Sequence, residues 1–437
     1  MAPLTRRSHR VRCGVDRRRA ARDARGSRGV PRIRGSPGMT LYIPTRHVAL
    51  PPEAWDPARV RAWLGRWSAA ALAIRAAGQP WPMHPRDAED APEPPGPVQS
   101  LYLGACGVWI ALARAAAAGF CALPMGLPDI FEQVLDDYAR WPDTGERVPS
   151  WFLGESAPLA LCCLARPDAR KADRLAEMIR ANRANPTREA LWGAPGTMLA
   201  ALFLHEATGD ERWAELIRDS AAALWESWDH DKDRDVWVWE QDLYGRRSRH
   251  VGAGHGWAGN LASLWRGQAL LSPAQRAELR ARTLQGLGRL AEIDGELANW
   301  PPLLEGPPKP LVQWCHGAPG IITSLRHAAL PEALPLLIRG ARLIVAVGPL
   351  EKGVALCHGT DGNGAALLEV HRRTGDAFWL ERAREFAMWA LAQSEAEFNR
   401  VGQWRYSLWT GDAGLACYLI DCLDGRSRGM PGIDSVW

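Results

Sequence analysis

Two Cys-His-Gly triplets, at residues 315–317 and 357–359, are the part of this 437-residue chain best suited to chemistry. Thiolate sulfur and neutral imidazole nitrogen are the ligands that zinc prefers, and three protein ligands leave a fourth position open for catalysis. Cys315 and Cys357, together with an imidazole, therefore predict a catalytic zinc site if the fold brings the triplets together. A buried cysteine acting as a small hydrophobic residue is the alternative for either thiol. A disulfide between them is a further alternative, disfavoured in a reducing compartment.

A third histidine, His255, lies in the related sequence Gly-His-Gly-Trp-Ala-Gly, which has no cysteine before the histidine. An imidazole with a pKa near ~6.5 can give or take a proton at neutral pH, so His255 is predicted to act as an acid or base. A hydrogen-bonded turn histidine is the structural alternative. Glu189 stands four residues before Gly193 and could reach the same rim. The residues alone favour a solvated glutamate at a helix start there.

These residues lie in copies of one repeated unit, in which a small-residue turn precedes an apolar helical stretch. The turn occurs seven times, and six copies keep the spacing Gly-x-x-Gly. Seven turns in phase with helical periodicity are not a chance pattern. If the repeats are structurally equivalent, Cys315 and Cys357 lie at adjacent turns and border the same cavity. The copies begin at Gly104, Gly154, Gly193, Gly256, Gly317, Gly359 and Gly411.

The stretches between the turns have the 3.6-residue spacing of amphipathic helices. The helices that follow the turns are richer in small and apolar residues, so we expect them to form an inner ring inside the amphipathic set. The prediction is an all-α fold of seven helix pairs closed into a barrel, with the 22 tryptophans as filler and cavity lining. An open solenoid would need polar capping repeats, which the sequence does not show. A short ribbon is predicted at residues 235–239. Amphipathic helices are expected near 57–77, 127–140, 168–183, 211–228, 273–294, 331–345 and 377–395, and apolar helices near 104–118, 157–166, 196–207, 259–267, 320–328, 362–374 and 414–423.

Charge divides the chain into two parts. The net charge is +4, but residues 1–40 hold twelve Arg against two Asp, so residues 41–437 are net negative. We expect 1–40 to be a disordered or over-extended N-terminal extension, with Met39 as a plausible start, and 41–437 to be one domain. An acidic body implies no nucleic-acid partner.

No stretch reaches the ~18 apolar residues of a membrane span, and the nine cysteines lack the spacing of a disulfide framework, so we expect a cytoplasmic protein with no transmembrane segment. The cysteines expected to be small hydrophobic residues are Cys106, Cys121, Cys162, Cys163, Cys417 and Cys422.

The three turns with extra functional groups resemble a known family. The motifs HG-x-AG, WCHGAPG and CHG-x-x-GN, in this order within seven helix-pair repeats, are similar to those of the lanthionine synthetase C-like proteins, over residues 57 to 423. The resemblance implies an (α/α)7 toroid, a double ring of seven inner and seven outer helices. It also implies one catalytic Zn²⁺ held by Cys315, Cys357 and His358, with the acid/base histidine at His255.

Details of the motifs bear on the substrate. Glu189 and His316 match the eukaryotic branch, where the bacterial cyclases have Asp and Tyr, and Asp361 replaces the commoner Ala of the last motif. The bacterial cyclases close thioether rings in a dehydrated precursor peptide, whereas the eukaryotic branch is linked to adding glutathione to dehydroamino acids. For either reaction His255 would protonate the enolate that follows thiol attack, with Glu189 or His316 orienting it or relaying protons. A dehydrated peptide would require a separate dehydratase.

Two other functions are compatible with this pattern. One is a non-catalytic relative that uses the zinc pocket to bind glutathione or a peptide. The other is a carbohydrate-active α/α toroid, which would work with paired carboxylates. No carboxylate pair stands at equivalent turn positions, and such an enzyme would leave the Cys-His repeats unexplained.

Overall fold

Fourteen helices in the computed structural model form two concentric rings, as predicted. The structure describes residues 40–51, 53–88 and 96–437, so the predicted extension lies outside the described residues, apart from Thr40. Odd-numbered helices form the outer ring: α1 (Pro57–Ala76), α3 (Leu127–Arg140), α5 (Ala169–Asn182), α7 (Glu211–Glu226), α9 (Pro273–Leu290), α11 (Leu334–Val347) and α13 (Ala377–Val401). Even-numbered helices form the inner ring: α2 (Ala105–Ala117), α4 (Ser156–Ala165), α6 (Ala194–Thr208), α8 (Trp257–Arg266), α10 (Ala318–Ser324), α12 (Thr360–Thr374) and α14 (Asp412–Asp424).

Short elements occupy the connections. The predicted ribbon exists as β1 (Asp229–Asp231) paired antiparallel with β2 (Val236–Val238). Two further hairpins were not predicted: β3 (Gln241–Leu243) with β4 (Arg246–Ser248), and β5 (Glu292–Asp294) with β6 (Leu297–Asn299). Single helical turns lie at Pro44–Arg46, Pro85–Ala88, Gln268–Leu270 and Pro331–Ala333.

Three predicted helix boundaries were wrong. Helix α9 ends at Leu290 rather than near 294, because the next residues pair as β5 around a turn at Gly295, whose φ is +55°. Helix α10 ends at Ser324 rather than near 328. Helix α13 continues to Val401, where Gly402 in the left-handed conformation closes it.

Glycine and aspartate set the junctions between inner and outer helices. Gly209 (φ +66°) ends α6 and Gly375 (φ +70°) ends α12, in the left-handed conformation that favours glycine. The Asp210 carboxylate then accepts from the N–H of Arg212 to cap α7, and Asp376 caps α13 in the same way. Six of the seven inner helices instead have a glycine at the N-cap position, which has no side chain of its own to cap the helix.

The second glycine of the six Gly-x-x-Gly turns lets neighbouring inner helices approach closely. A Cβ there would lie 1.9 to 2.3 Å from the carbonyl oxygen of the residue six positions earlier, far inside van der Waals contact. It would also meet the equivalent residue of the preceding repeat, as Gly362 meets Trp314 (3.0 Å). Gly107 of repeat one meets Leu408 of repeat seven in the same register, at 2.6 Å. This shared register shows that the repeats close into a ring, so the open solenoid is excluded.

The inner ring forms the core. Every residue of α10 is buried, and in α6 burial is continuous over the first eleven residues. The outer helix α7 buries only one face, at Trp213, Leu216 and Ile217 and at later positions of the same spacing. No described helix combines the length and the apolar character needed to cross a bilayer. Eight tryptophans are fully buried filler, as predicted: Trp63, Trp67, Trp151, Trp213, Trp239, Trp257, Trp300 and Trp409.

The last residues of the chain contact the end of the ring opposite the turns. Arg114, near the C-terminal end of α2, donates from Nε to the carbonyl of Val436 (3.2 Å). Arg326, just after α10, donates to the carbonyl of Ser427 (2.9 Å). These contacts tie the C-terminal segment to the C-terminal ends of the inner helices, at the end of the ring away from the cysteines.

Candidate active site and metal centre

A belt of backbone hydrogen bonds joins six of the seven turns. Each residue of the belt stands five positions before the fourth and last residue of its turn, so Cys315 and Cys357 are equivalent residues of adjacent repeats. The belt fixes the backbone of both cysteines independently of any bound ion. The N–H groups donate from Gly254 to Cys315 (3.2 Å), from Cys315 to Cys357 (2.9 Å), from Cys357 to Trp409 (3.0 Å), from Trp409 to Tyr102 (3.1 Å) and from Tyr102 to Phe152 (2.9 Å).

Cys315, Cys357 and His358 form a candidate metal centre. One ligand atom from each lies within 4.8 Å of the others, and within the described residues this is the one group of three or more such side chains so arranged. Both cysteines are buried and His358 is half-buried. The Cys357 side chain donates a hydrogen bond that holds the pKa of the Cys315 thiol well below its usual value, and His316 and His358 act in the same direction. Two sulfurs and one imidazole form a donor set that can hold a soft or borderline metal ion.

Two residues that the sequence analysis missed support this centre. Gln313 donates from Nε2 to the sulfur of Cys315 (3.0 Å), and its Oε1 accepts from Nη2 of Arg46 (2.8 Å). The arginine contact fixes the orientation of the amide, so that its N–H rather than its oxygen faces the sulfur. A hydrogen bond of this kind stabilises a thiolate and orients it.

Glu189 and His255 form a buried pair at the same end of the ring. The Oε2 atom of Glu189 lies 3.1 Å from Nδ1 of His255, and the glutamate side chain is fully buried. The carboxylate also accepts from the backbone N–H groups of Leu191 (2.9 Å) and Trp192 (2.7 Å). Leu191 is the repeat-three equivalent of the belt residues. Its N–H, which in the other repeats would donate to the next belt residue, donates to Glu189 instead. A carboxylate can only accept, so Nδ1 of His255 carries the hydrogen of this contact.

Two further histidines, His316 and His250, lie close to His255. The ring centroid of His316 lies 6.3 Å from that of His255, and burial lowers the pKa of His316. His250, which the sequence analysis missed, lies 5.8 Å from His255 and 5.9 Å from His316 between ring centroids. Burial, with the two neighbouring imidazoles, lowers the pKa of His250 to about 2, so this ring is neutral near pH 7.

His255 and the two cysteines of the candidate metal centre border one cavity of about 510 Å³. Every repeat contributes to its wall, as the predicted closure requires. His255 and the two cysteines lie on one side, and the remaining wall is largely aromatic and aliphatic. The lining residues are Tyr102, Phe152, Leu153, Ala190, Leu191, Tyr244, Gly254, His255, Trp314, Cys315, Cys357 and Trp409.

Comparison with known families agrees with the ring and the cysteine turns. The family described as lanthionine synthetase C-like protein matches residues 98–434, more than three quarters of the chain. This chain belongs to the lanthionine synthetase C-like family. The resemblance and the toroid predicted from the sequence are thereby confirmed.

Individual relatives match different shares of the chain. The protein named glutathione S-transferase LANCL1, from Danio rerio, is 24% identical over 330 residues, which are 70% of this chain and 79% of that protein. LanC-like protein GCL1, from Arabidopsis thaliana, is 33% identical over 141 residues, 30% of this chain and 33% of that protein. The solved structure of nisin cyclase is similar in fold, with a TM-score of 0.54 at 14% identity, and the match covers 76% of this chain and 90% of that one.

The structure of this lanthionine synthetase C-like protein brings together all six residues that the sequence singled out. Cys315, Cys357 and His358 form the candidate metal centre, while Glu189 and His255 pair beside His316. The other six cysteines named above are free thiols, and five are buried in inner helices, whereas Cys121 is half-buried in the loop after α2.

Proposed function

We propose that this protein binds zinc at Cys315, Cys357 and His358 and adds a thiol to dehydroalanine or dehydrobutyrine. The observation that carries the proposal is that one cavity is lined by both sulfurs of the two-sulfur, one-imidazole donor set and by His255, whose Nδ1 pairs with the buried Glu189. The first suits activation of a thiol, and the second suits proton transfer. Membership of the family supports both, since its relatives include a cyclase and a protein named as a glutathione S-transferase.

The donor set fits zinc better than the other common metals. Thiolate and imidazole ligands suit zinc, while magnesium and calcium prefer oxygen. Three protein ligands leave one position for the sulfur of a substrate. Zinc bound there would supply the positive charge that removes the proton of a thiol whose ordinary pKa is ~8.5. The Gln313 amide, donating to Cys315, would hold that sulfur in its ligating orientation.

The reaction forms one sulfur–carbon bond and consumes one double bond. The thiolate sulfur attacks the β-carbon, and the π electrons of the double bond move toward the α-carbon and the neighbouring carbonyl. His255 then gives a proton to the α-carbon. The proton released by the thiol returns to His255 through solvent. Because Nδ1 of His255 is hydrogen-bonded to Glu189, the nitrogen that gives the proton to the α-carbon is Nε2. His316 is the second candidate for relaying protons.

Two sources could supply the thiol. The relative named glutathione S-transferase favours glutathione. A cysteine of a dehydrated precursor peptide would make the reaction a ring closure, and a separate dehydratase would have to supply that peptide. The carbohydrate-active alternative gains no support, because the cavity-lining residues that the structure describes include neither Asp nor Glu.

Metal analysis and thiol addition to a dehydroalanine peptide, followed by mass spectrometry, test the proposal. We expect about one zinc per chain, lost in Cys315→Ala and Cys357→Ala but retained in the control Cys417→Ala. We expect His255→Ala to keep its zinc and to lose about 10²- to 10⁴-fold in rate, as for removal of a positioned acid. A protein without zinc and unaffected by the two cysteine changes would refute the metal assignment. An unchanged rate in His255→Ala would refute the acid/base assignment, and glutathione binding without turnover would favour the non-catalytic alternative.

A further inference from the structure

The belt position that carries the cysteines carries aromatic residues on the other side of the ring. Repeats five and six have Cys315 and Cys357 there, whereas repeats seven, one and two have Trp409, Tyr102 and Phe152. Because the position is equivalent in all of them, these side chains border the same cavity as the cysteines. The cavity therefore has a side with metal-ligating and histidine groups and an aromatic side, which we call the aromatic wall (Tyr102, Phe152 and Trp409).

Tyr102 is the most exposed member of the aromatic wall. Its ring is stacked on that of Trp409, with centroids 6.1 Å apart and planes 2° from parallel. Trp409 is fully buried, and its ring also contacts Phe152, edge to face with centroids 5.4 Å apart, and Trp314, with centroids 4.5 Å apart. Tyr102 is half-buried. The stack thus holds one flat aromatic face in a fixed orientation at the surface of the cavity.

The charge of the cavity indicates which substrate this face suits. The lining residues that the structure describes include no Lys, Arg, Asp or Glu. Glutathione carries two carboxylates and an ammonium group, which are costly to bury without partners. A dehydroamino acid residue within a peptide is uncharged, and its double bond is conjugated with the adjacent carbonyl, so the group is planar. Such a planar, uncharged group can stack on the flat face of an aromatic ring.

We propose that the aromatic wall is the acceptor subsite, at which Tyr102 packs against the dehydroamino acid residue and the apolar side chain next to it. The inference rests on the proposed function and adds the placement of the electrophile. Trp409 follows Cys357 in the belt, so an acceptor on the wall lies one repeat away from the sulfur ligands. The charged groups of the thiol substrate would lie toward the mouth of the cavity, outside the apolar lining.

Steady-state kinetics with two acceptor peptides test the subsite. The peptides carry either Leu or Asp beside the dehydroalanine, and glutathione is the thiol. We expect a lower KM for the Leu peptide with the wild-type protein. In Tyr102→Ala the KM for the Leu peptide should rise about three- to tenfold, as for loss of an aromatic contact, and the preference over the Asp peptide should vanish. The KM for glutathione and the zinc content should stay unchanged, and Tyr102→Phe should behave as the wild type.

A binding measurement separates this inference from the proposed function. Titration calorimetry of the Leu peptide without thiol needs no turnover, so it reports on the wall even if the wild-type protein adds no thiol. Binding that weakens in Tyr102→Ala and is kept in Tyr102→Phe supports the subsite. Equal affinity of the wild type and Tyr102→Ala for the Leu peptide, or a rise in the KM for glutathione alone, would overturn it.

Discussion

Asp361, in the first turn of α12, is a buried carboxyl group whose removal should stabilise the protein. Its side chain is fully buried, and neither oxygen has a hydrogen-bond partner among the described residues. Burial raises its pKa well above the usual range, and nearby Asp412 adds to the effect. Unlike Asp361, the Asp412 carboxyl group has hydrogen-bond partners: it accepts from Oγ of Ser394 (2.5 Å) and from the N–H of Arg405 (2.7 Å).

The size of the effect follows from the cost of keeping Asp361 protonated. An unfolded aspartate has a pKa of about 3.9, and each pH unit above it adds about 1.4 kcal/mol to the cost of holding the proton, or about 4 kcal/mol at pH 7 as an upper bound. Asn has the same shape and is neutral at every pH, so Asp361→Asn avoids this cost. We expect it to raise the free energy of unfolding at pH 7 by about 2–4 kcal/mol. Asp412→Asn, which disturbs two hydrogen bonds, should lower it by about 1–3 kcal/mol.

Urea unfolding between pH 4 and pH 7 measures the change in the free energy of unfolding for both Asp361→Asn and Asp412→Asn. Because burial raises the pKa of Asp361 in the folded protein, we expect the folded wild type to keep a proton that the unfolded chain releases above about pH 3.9, so that raising the pH destabilises the wild type relative to Asp361→Asn. The stability difference should therefore shrink as pH falls, by about 1.4 kcal/mol per unit while the folded state stays protonated, and vanish near pH 4. A variant no more stable than the wild type at pH 7, or a difference independent of pH, would show that the carboxyl group has a charged partner and refute the reasoning.

Two further predictions concern the metal centre and the ring. Gln313→Leu should weaken zinc retention about 10- to 100-fold in competition with a chromogenic chelator, because the sulfur of Cys315 loses its amide donor; an unchanged affinity would contradict a supporting role. Gly320→Ala should strongly destabilise the protein in thermal unfolding, since its Cβ would meet a carbonyl oxygen at 1.9 Å, whereas Gly288→Ala, on an open face of α9, should stabilise it by up to about 1 kcal/mol. Equal effects of the two alanines would contradict the close packing of the inner ring.

The repeats, the helix pairs and the two cysteine turns could be read from the sequence because their signals are local. A glycine at the left-handed end of a helix, an aspartate cap and a 3.6-residue apolar spacing each involve residues within one or two helical turns of each other. Gly209, which ends α6 in the left-handed conformation, and Asp210, which caps α7, are signals of this local kind. The equivalence of Cys315 and Cys357 followed from the same regularity, since a repeated local pattern places its members at repeated positions.

The contacts that complete the site depend on closure of the ring. Arg46 reaches Gln313 across 267 residues, and Tyr102 of the first repeat stacks on Trp409 of the last. No local pattern relates residues so far apart, because their proximity arises from the summed rotation of seven helix pairs. The lack of a hydrogen-bond partner for Asp361 is also visible only after packing. Local propensity and periodicity thus specify the helices and turns, whereas the arrangement of groups around the cavity results from long-range packing.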